Sequence, residues 1–376
     1  MTVIPDRVVI IIGQLTPPYG AARVAIDLAI GMRSYAKTVE LVTCDGGQLA
    51  NRRHVPDGVV HVHLNRAPGV IGWTSFAVRL RKHITNTGQT RDTALIPLLS
   101  TMNIATVASA ILNKRVVAIV PTEHNLQSQA LQNYGAKAKV IRALIPIVYR
   151  FATKIVCVSE AVADDLVEKL RLQPEKVVVI YNPVDADRLK RLAKQPASES
   201  GHPLPLPPNS IACVAELKPA KQQEILIRAL AQTRRSDINL VLIGDGRTRS
   251  ELESLALRLN VADRVLFLGR QENPWPIVVQ CCASVLVPRF EGFGLALAES
   301  AVVGVRPMGL SIGGLRELLP QLGAKVISST LPEVEAVSQA FLEVVEQDCD
   351  YQIPAEWIQK RTPVNVAGEY RDLFNT

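Results

Sequence analysis

Short apolar runs rich in Val, Ile and Leu recur along the chain, separated by stretches whose apolar positions return every three or four residues. In the first half the runs fall at Arg7–Gly13, Val39–Cys44, Val59–Leu64, Ala94–Leu99, Val116–Pro121, Lys154–Val158 and Val177–Ile180. They are too short for helices, and most lack the strict alternation of a half-exposed strand. They predict strands covered on both faces, as in a parallel sheet. Helical spacing lies between them, for example over Ala22–Ser34 and Ala161–Leu170. The alternation stops at 195–210, where five residues are proline, and this composition predicts an extended linker. It then restarts with strands at Ile211–Val214, Asn239–Ile243, Val265–Leu268, Ser284–Val287 and Val305–Leu310, and helices at Gln223–Gln232 and Arg249–Leu259. The expected fold is α/β: two Rossmann-like, doubly wound domains facing each other across a cleft. Residues 1–194 form the first, 195–210 the linker and 211–363 the second, with a helix at 364–376 expected to pack back on the first. In such sheets ligands sit at the carboxyl ends of the strands.

A length of 376 residues suits two cores better than one. No uncharged stretch approaches the roughly 20 residues that span a bilayer, and Val8–Gly13 is too short for a signal core. The six cysteines show no metal-ligand spacing, so a reduced cytoplasmic setting is expected. Charge changes the picture more than composition does. Residues 1–195 hold 25 Lys and Arg against 14 Asp and Glu, a balance of +11, while the remainder holds 17 against 21, or −4. A basic half calls for an anionic partner. Aromatic residues are not interleaved with the basic ones, so nucleic acid is disfavoured and an anionic membrane surface favoured. The cationic, apolar stretch Tyr134–Lys154 is a candidate surface helix, reading otherwise as a domain helix with a charged outer face. His61 and His63 point the same way along one strand but lack a third ligand, so no metal site is expected; His54, His83 and His202 receive no role.

One segment carries chemistry: Pro288-Arg289-Phe290-Glu291-Gly292-Phe293-Gly294-Leu295-Ala296-Leu297-Ala298-Glu299-Ser300. It leaves an apolar strand, turns at Gly292 and Gly294 and enters a helix at Leu295. Unpaired amides and the helix dipole favour an anion at such a turn. Glu291 in the loop and Glu299 within the helix are placed to accept hydrogen bonds from sugar or ribose hydroxyls.

The segment resembles the Glu-x7-Glu signature of the retaining nucleotide-sugar glycosyltransferases of family 4, which have the GT-B fold. The resemblance runs over nearly the whole chain: Tyr19-Gly20-Ala21-Ala22-Arg23-Val24 is similar to the family's first glycine loop, and Val120-Pro121-Thr122-Glu123-His124-Asn125 to the strand end with its histidine. Cys157-Val158-Ser159-Glu160, Tyr181-Asn182-Pro183-Val184-Asp185, Leu242-Ile243-Gly244-Asp245-Gly246 and Asp263-Arg264-Val265-Leu266-Phe267-Leu268-Gly269 follow in the family's order. The resemblance implies that Glu291 binds hydroxyls of the donor sugar, Glu299 the ribose, and Gly20 the diphosphate. It implies that Lys221 neutralises the leaving diphosphate and that His124 lies beside the transferred sugar. Gly292, Phe293, Gly294, Leu295, Glu216 and Gly244 complete the donor contacts. The implied chemistry is front-face displacement without a side-chain nucleophile, a cofactor or a metal. The implied partners are a nucleotide-diphosphate sugar and a lipid-linked or glycan acceptor. The setting is cell-surface polysaccharide or glycolipid synthesis, in the cytoplasm or at the inner face of the plasma membrane.

The chain departs from this pattern at Glu216, where the family has an arginine for the diphosphate. Two like charges about 4 Å apart repel by about 4 kcal/mol at an effective dielectric near 20, enough to weaken a donor site if Glu216 faces it. Lys218 or Arg306 could return the missing charge. Tyr19 and Ala22 also replace a glycine and a glutamate of the first loop. The alternatives are a weakly active or inactive nucleotide-sugar-binding homologue, or a GT-B epimerase or phosphorylase.

Overall fold

The computed structural model describes residues 5–15, 20–86, 92–196, 205–327, 333–347 and 350–375. The chain separates into two compact units, Met1–Val184 with Lys360–Thr376, and Asp185–Gln359. Each is built on parallel strands that alternate with helices.

In the first unit, β1 (Arg7–Ile11), β2 (Thr38–Thr43), β3 (Val60–His63), β4 (Thr93–Pro97) and β5 (Val116–Ile119) form a parallel sheet in the order β3-β2-β1-β4-β5. All five residues of β1 are buried, as expected of a central strand covered on both faces. Its one charged residue, Arg7, meets Glu40 through two 2.7 Å hydrogen bonds, and His83 Nε2 lies 2.8 Å from the same carboxylate. His83, which had no role in the sequence reading, thus joins the buried Arg7–Glu40 pair. β6 (Thr122–Glu123) continues from β5 after a break at Val120–Pro121 and pairs with β7 (Ile155–Cys157), which pairs in turn with β8 (Val177–Val179), in a second parallel sheet. His61 and His63 both lie within hydrogen-bond distance of Thr43 Oγ1, at 2.9 and 2.8 Å.

The second unit holds one parallel sheet in the order β11-β10-β9-β12-β13-β14, made of β9 (Ser210–Val214), β10 (Asn239–Ile243), β11 (Val265–Gly269), β12 (Ala283–Leu286), β13 (Arg306–Leu310) and β14 (Lys325–Ile327). Both main sheets reverse direction of progression once, between β1 and β4 in the first unit and between β9 and β12 in the second. Such a switch point opens a crevice at the carboxyl ends of the two strands.

The unit boundaries differ from the sequence reading at both crossings, and residues 360–363, expected in the second domain, belong to the first unit. Helix Ala186–Ala193, expected in the first domain, belongs to the second unit, where Asn273 donates to the Leu192 carbonyl at 2.9 Å. Of the expected linker, 197–204 lies outside the described residues. Its described part is tied to the second unit: Leu206 N–H donates to Gln280 and Asn239 to the Pro208 carbonyl. The helix Pro363–Asp372 packs on Gly20–Met32 so closely that a Cβ at Gly31 would stand 1.9 Å from the Pro363 carbonyl oxygen. Tyr370 adds a 3.1 Å hydrogen bond to Thr122.

Candidate functional site

The switch point of the second sheet brings together residues 70 positions apart. Lys221 ends the turn Pro219–Lys221 that follows β9, and Glu291 stands in the loop after β12. Lys221 Nζ donates to Glu291 Oε2 at 2.6 Å. The backbone secures the pair, because Arg289 N–H donates to the Ala220 carbonyl at 2.9 Å. Burial works against the charge of Glu291, but Lys221 and the amides of Phe293 and Gly292 outweigh it and hold the carboxyl below its ordinary range. Burial likewise disfavours the Lys221 ammonium, and the Glu291 and Glu216 carboxylates overcome this and raise it. Both groups are therefore charged at neutral pH.

The turn after Glu291 is set by close backbone approach. Gly294 has φ +95° at the start of helix Leu295–Val302, and a Cβ there would lie 2.3 Å from a Leu315 methyl. The segment Gly313-Gly314 lies across Glu291 and Gly292: Gly314 N–H donates to the Glu291 carbonyl at 2.9 Å, and a Cβ at Gly314 would come to 2.1 Å from the Gly292 carbonyl oxygen. The sequence reading missed this cradle. The glycine pair between β13 and the next helix was its only signal. Phe293 is buried beneath the turn, Leu295 is half-buried at the helix start, and Glu299 is buried within the helix. Gly244 meets the site loop from behind, where a Cβ would be 2.0 Å from the Ala215 carbonyl oxygen. Its glycine thereby lets the loop carrying Glu216 lie flat on the neighbouring strand end.

Glu216 is half-exposed, and its carboxylate is held by Lys218 Nζ at 2.7 Å. The charge that replaces the family's arginine is thus neutralised on its own loop by Lys218. Arg306 plays no part in this. It begins β13 beside Ala283, the first residue of β12, and lies over the Tyr351 ring at 5.7 Å. Glu291 follows the other end of β12, a strand length of about 13 Å away.

The remaining candidates belong to the first unit. Gly20 opens the helix Gly20–Met32 after β1 and is exposed; Tyr19, of the same expected loop, lies outside the described residues. His124 follows β6. Burial pushes its imidazole down to about 4, so the ring is neutral at pH 7, and its buried Nε2 has no hydrogen-bond partner among the described residues. Two matched segments prove to be helix caps: Ser159 Oγ accepts from Val162 N–H at 3.2 Å, and Asp185 from Arg188 N–H at 2.9 Å. Among the described residues no three His, Cys, Asp or Glu side chains gather as a metal site.

Two family profiles match the chain almost end to end, "Glycosyltransferase Family 4" over 18–188 and "Glycosyl transferases group 1" over 194–361. The chain is 29% identical over 224 residues to the N-acetylgalactosamine-N,N'-diacetylbacillosaminyl-diphospho-undecaprenol 4-alpha-N-acetylgalactosaminyltransferase of Campylobacter jejuni, covering 60% of this chain and 58% of that one. It is 24% identical to the phosphatidylinositol N-acetylglucosaminyltransferase gpi3 subunit of Schizosaccharomyces pombe, over 66% of this chain and 52% of the relative. The chain thus spans about half the length of these curated relatives. The fold matches Anabaena HepE, solved with UDP and glucose, at a TM-score of 0.72 and 17% identity over 98% of this chain and 96% of that one. It also matches the lipopolysaccharide outer core galactosyltransferase WaaB, at 0.69 and 16% over 98% of each. With its two α/β units, its Glu-x7-Glu turn and both halves matched, the chain belongs to the family 4 glycosyltransferases of GT-B fold.

Proposed function

We propose that the chain is a retaining glycosyltransferase that moves a sugar from a nucleotide-diphosphate donor to a lipid-linked or glycan acceptor in cell-surface polysaccharide or glycolipid synthesis. The observation that carries this reading is the Lys221–Glu291 ion pair, 2.6 Å long at the second sheet's switch point and inside the Glu-x7-Glu frame. A sugar diphosphate needs a cation at its phosphates and an acceptor at its hydroxyls, side by side; this pair supplies both. Lys221 would stabilise the charge that grows on the departing phosphate, and Glu291 would orient the sugar. In the reaction the bond from the anomeric carbon to the phosphate oxygen breaks, and the acceptor oxygen bonds to that carbon from the same face. The acceptor's proton passes to the leaving phosphate. Glu299 would hold the ribose, and His124, neutral and without a partner, would donate to or accept from the transferred sugar. Gly20 would lie against the diphosphate. Lys221 takes the role a metal fills elsewhere, so metal independence is part of the proposal.

The donor is supported by HepE, solved with UDP and glucose, and the acceptor by the Campylobacter jejuni relative, whose name specifies a diphospho-undecaprenol substrate. A membrane-bound acceptor also agrees with the charge. On the observed units the balance is 24 Lys and Arg against 14 Asp and Glu in the first, and 18 against 21 in the second. Helix Ala136–Tyr149 turns Ile145 and Tyr149 inward and leaves Val140, Leu144 and Ile147, spaced i, i+4 and i+7, between 39 and 59% exposed, and Phe151, in the turn just beyond its end, is 56% exposed. Exposed Lys139 and Arg150 border this stripe. Apolar side chains bordered by cations suit the headgroup region of an anionic bilayer. No helix among the described residues is long and apolar enough to cross one. The basic unit and this apolar stripe support a peripheral position at the inner, cytoplasmic face of the plasma membrane as part of the proposal.

The test is a panel of nucleoside diphosphates and their sugars, read by thermal shift and then by the anomeric configuration of the transferred sugar. A matching donor should raise the melting temperature, transfer should preserve the donor's configuration, and a chelator should leave the rate unchanged. Stabilisation by no member of the panel overturns the donor reading; an inverted product overturns retention. Nucleotide binding without transfer selects the inactive homologue.

A further inference from the structure

His124 makes no side-chain hydrogen bond to any described residue, yet its position matters if it is to meet a sugar. Its ring must therefore be placed through its backbone and packing. Next to it, Glu123 is a fully buried carboxyl with no cation beside it. Four side chains donate to it instead: Ser100 Oγ at 3.0 Å, Asn103 Nδ2 at 3.0 Å, Gln127 Nε2 at 2.7 Å and the Tyr149 hydroxyl. Burial pushes the Glu123 carboxyl up, and these four hydrogen bonds pull the other way by favouring its charged form. Ser100 opens the helix Ser100–Ala110, so the positive end of an 11-residue helix also faces this charge.

The bond from Gln127 closes the chain on itself. It joins residues 123 and 127 across the turn that bears His124, while Val158 N–H donates to the Glu123 carbonyl at 3.2 Å on the other side. We propose that Glu123 is a positioning residue for the transfer reaction: its carboxylate clips the His124 turn at both ends and seats it on the start of helix Ser100–Ala110. The inference rests on the role given to His124 above. Isolated burial of a charge is costly, and a Gln or a hydroxyl could fill the same space in a purely structural core. A carboxyl suits the position because each of its oxygens faces one amide N–H and one hydroxyl.

A double-mutant cycle tests this. Glu123→Gln keeps the volume but, whichever way its amide turns, sets an N–H against the amide N–H of Asn103 or Gln127. Turnover should fall about tenfold or more, with the donor KM within about twofold, because the donor cation and carboxylate lie in the other unit. In a His124→Ala background the same change should cost less than about twofold, since residues that act as one unit are not additive. Gln127→Ala, which opens the clip and spares Glu123, should behave likewise and stands in if Glu123→Gln does not fold. Losses that multiply in the double variant, or wild-type turnover in both single variants, overturn the inference. His124→Ala with wild-type turnover overturns the role of His124 and this inference with it. Nucleoside diphosphate binding, read by thermal shift, still reports separately on Lys221 and Glu291.

Discussion

Burial disfavours the charges of Lys221 and Glu291, and their pairing outweighs it, which makes the pair sensitive to both pH limits. Glu291 titrates below the ordinary 4.5, so its stabilising effect is present above that value and is lost as pH falls through the lowered one. Lys221 titrates above 10.5, so its contribution is complete below that value and is lost only above the raised one. The stability difference between wild type and Glu291→Gln should therefore be constant near neutrality and shrink in acid, measured as melting temperature from pH 7 to 3. A constant difference throughout would show that the pair is not coupled. For catalysis, Lys221→Ala should lower turnover by a factor equivalent to about 2.7 to 4 kcal/mol, and Lys218→Ala far less. Glu216 makes a sharper case. Because Lys218 already neutralises it and half of its side chain faces solvent, Glu216→Arg should change nucleoside diphosphate affinity little unless the new guanidinium reaches the phosphates. Titration calorimetry on both proteins decides; weaker binding by the arginine variant would mean that Glu216 serves the ligand.

At the scale of elements, the strands were legible because strands buried on both faces leave continuous Val, Ile and Leu runs. β1, β2, β9, β10 and β13 fall within two residues of their expected ends. β14 was missed for the converse reason: it is short, begins with Lys325 and leaves Val326 exposed. The Glu291–Glu299 frame was legible because it is local. Its partners were not, since the pairing of Lys221 with Glu291 and the seat of Gly314 against Gly292 depend on sheet order, which periodicity does not encode. That seat can be tested directly. Gly314 has an ordinary helical φ of −64°, so Gly314→Ala brings no backbone strain, only a methyl 2.1 Å from a carbonyl oxygen. It should cost about 1 to 3 kcal/mol, as overpacking does, and lower donor turnover as well. Gly304→Ala is the control. There φ is +88° with open space around the added carbon, so about 1 to 2 kcal/mol of strain is expected with donor binding intact. Equal effects on donor binding would remove the cradle from the site.

Over the whole molecule, the division of charge is the feature no single motif explains. The first unit carries a balance of +10 and the second −3. A net field of this kind draws a cationic unit toward an anionic surface, but it has no address; the apolar stripe on Ala136–Tyr149 supplies one. Each cation near such a surface adds about 1 kcal/mol and each buried methylene about 0.8 kcal/mol, so the two contributions are comparable here. They separate by salt. Binding to vesicles containing anionic lipid should weaken as ionic strength rises and the Debye length falls from about 10 Å at 0.1 M to about 3 Å at 1 M. A residual, salt-resistant part should belong to the stripe. Replacing Ile147 and Phe151 together by glutamate should abolish that residue of binding and leave the melting temperature near wild type, since both side chains are more than half exposed. Neutral vesicles should bind little in either protein. If the double variant sediments with anionic vesicles as the wild type does, another part of the surface makes the contact. If the wild type ignores anionic vesicles even at low salt, the charge serves some purpose other than the membrane, and an acceptor free in solution becomes the better reading.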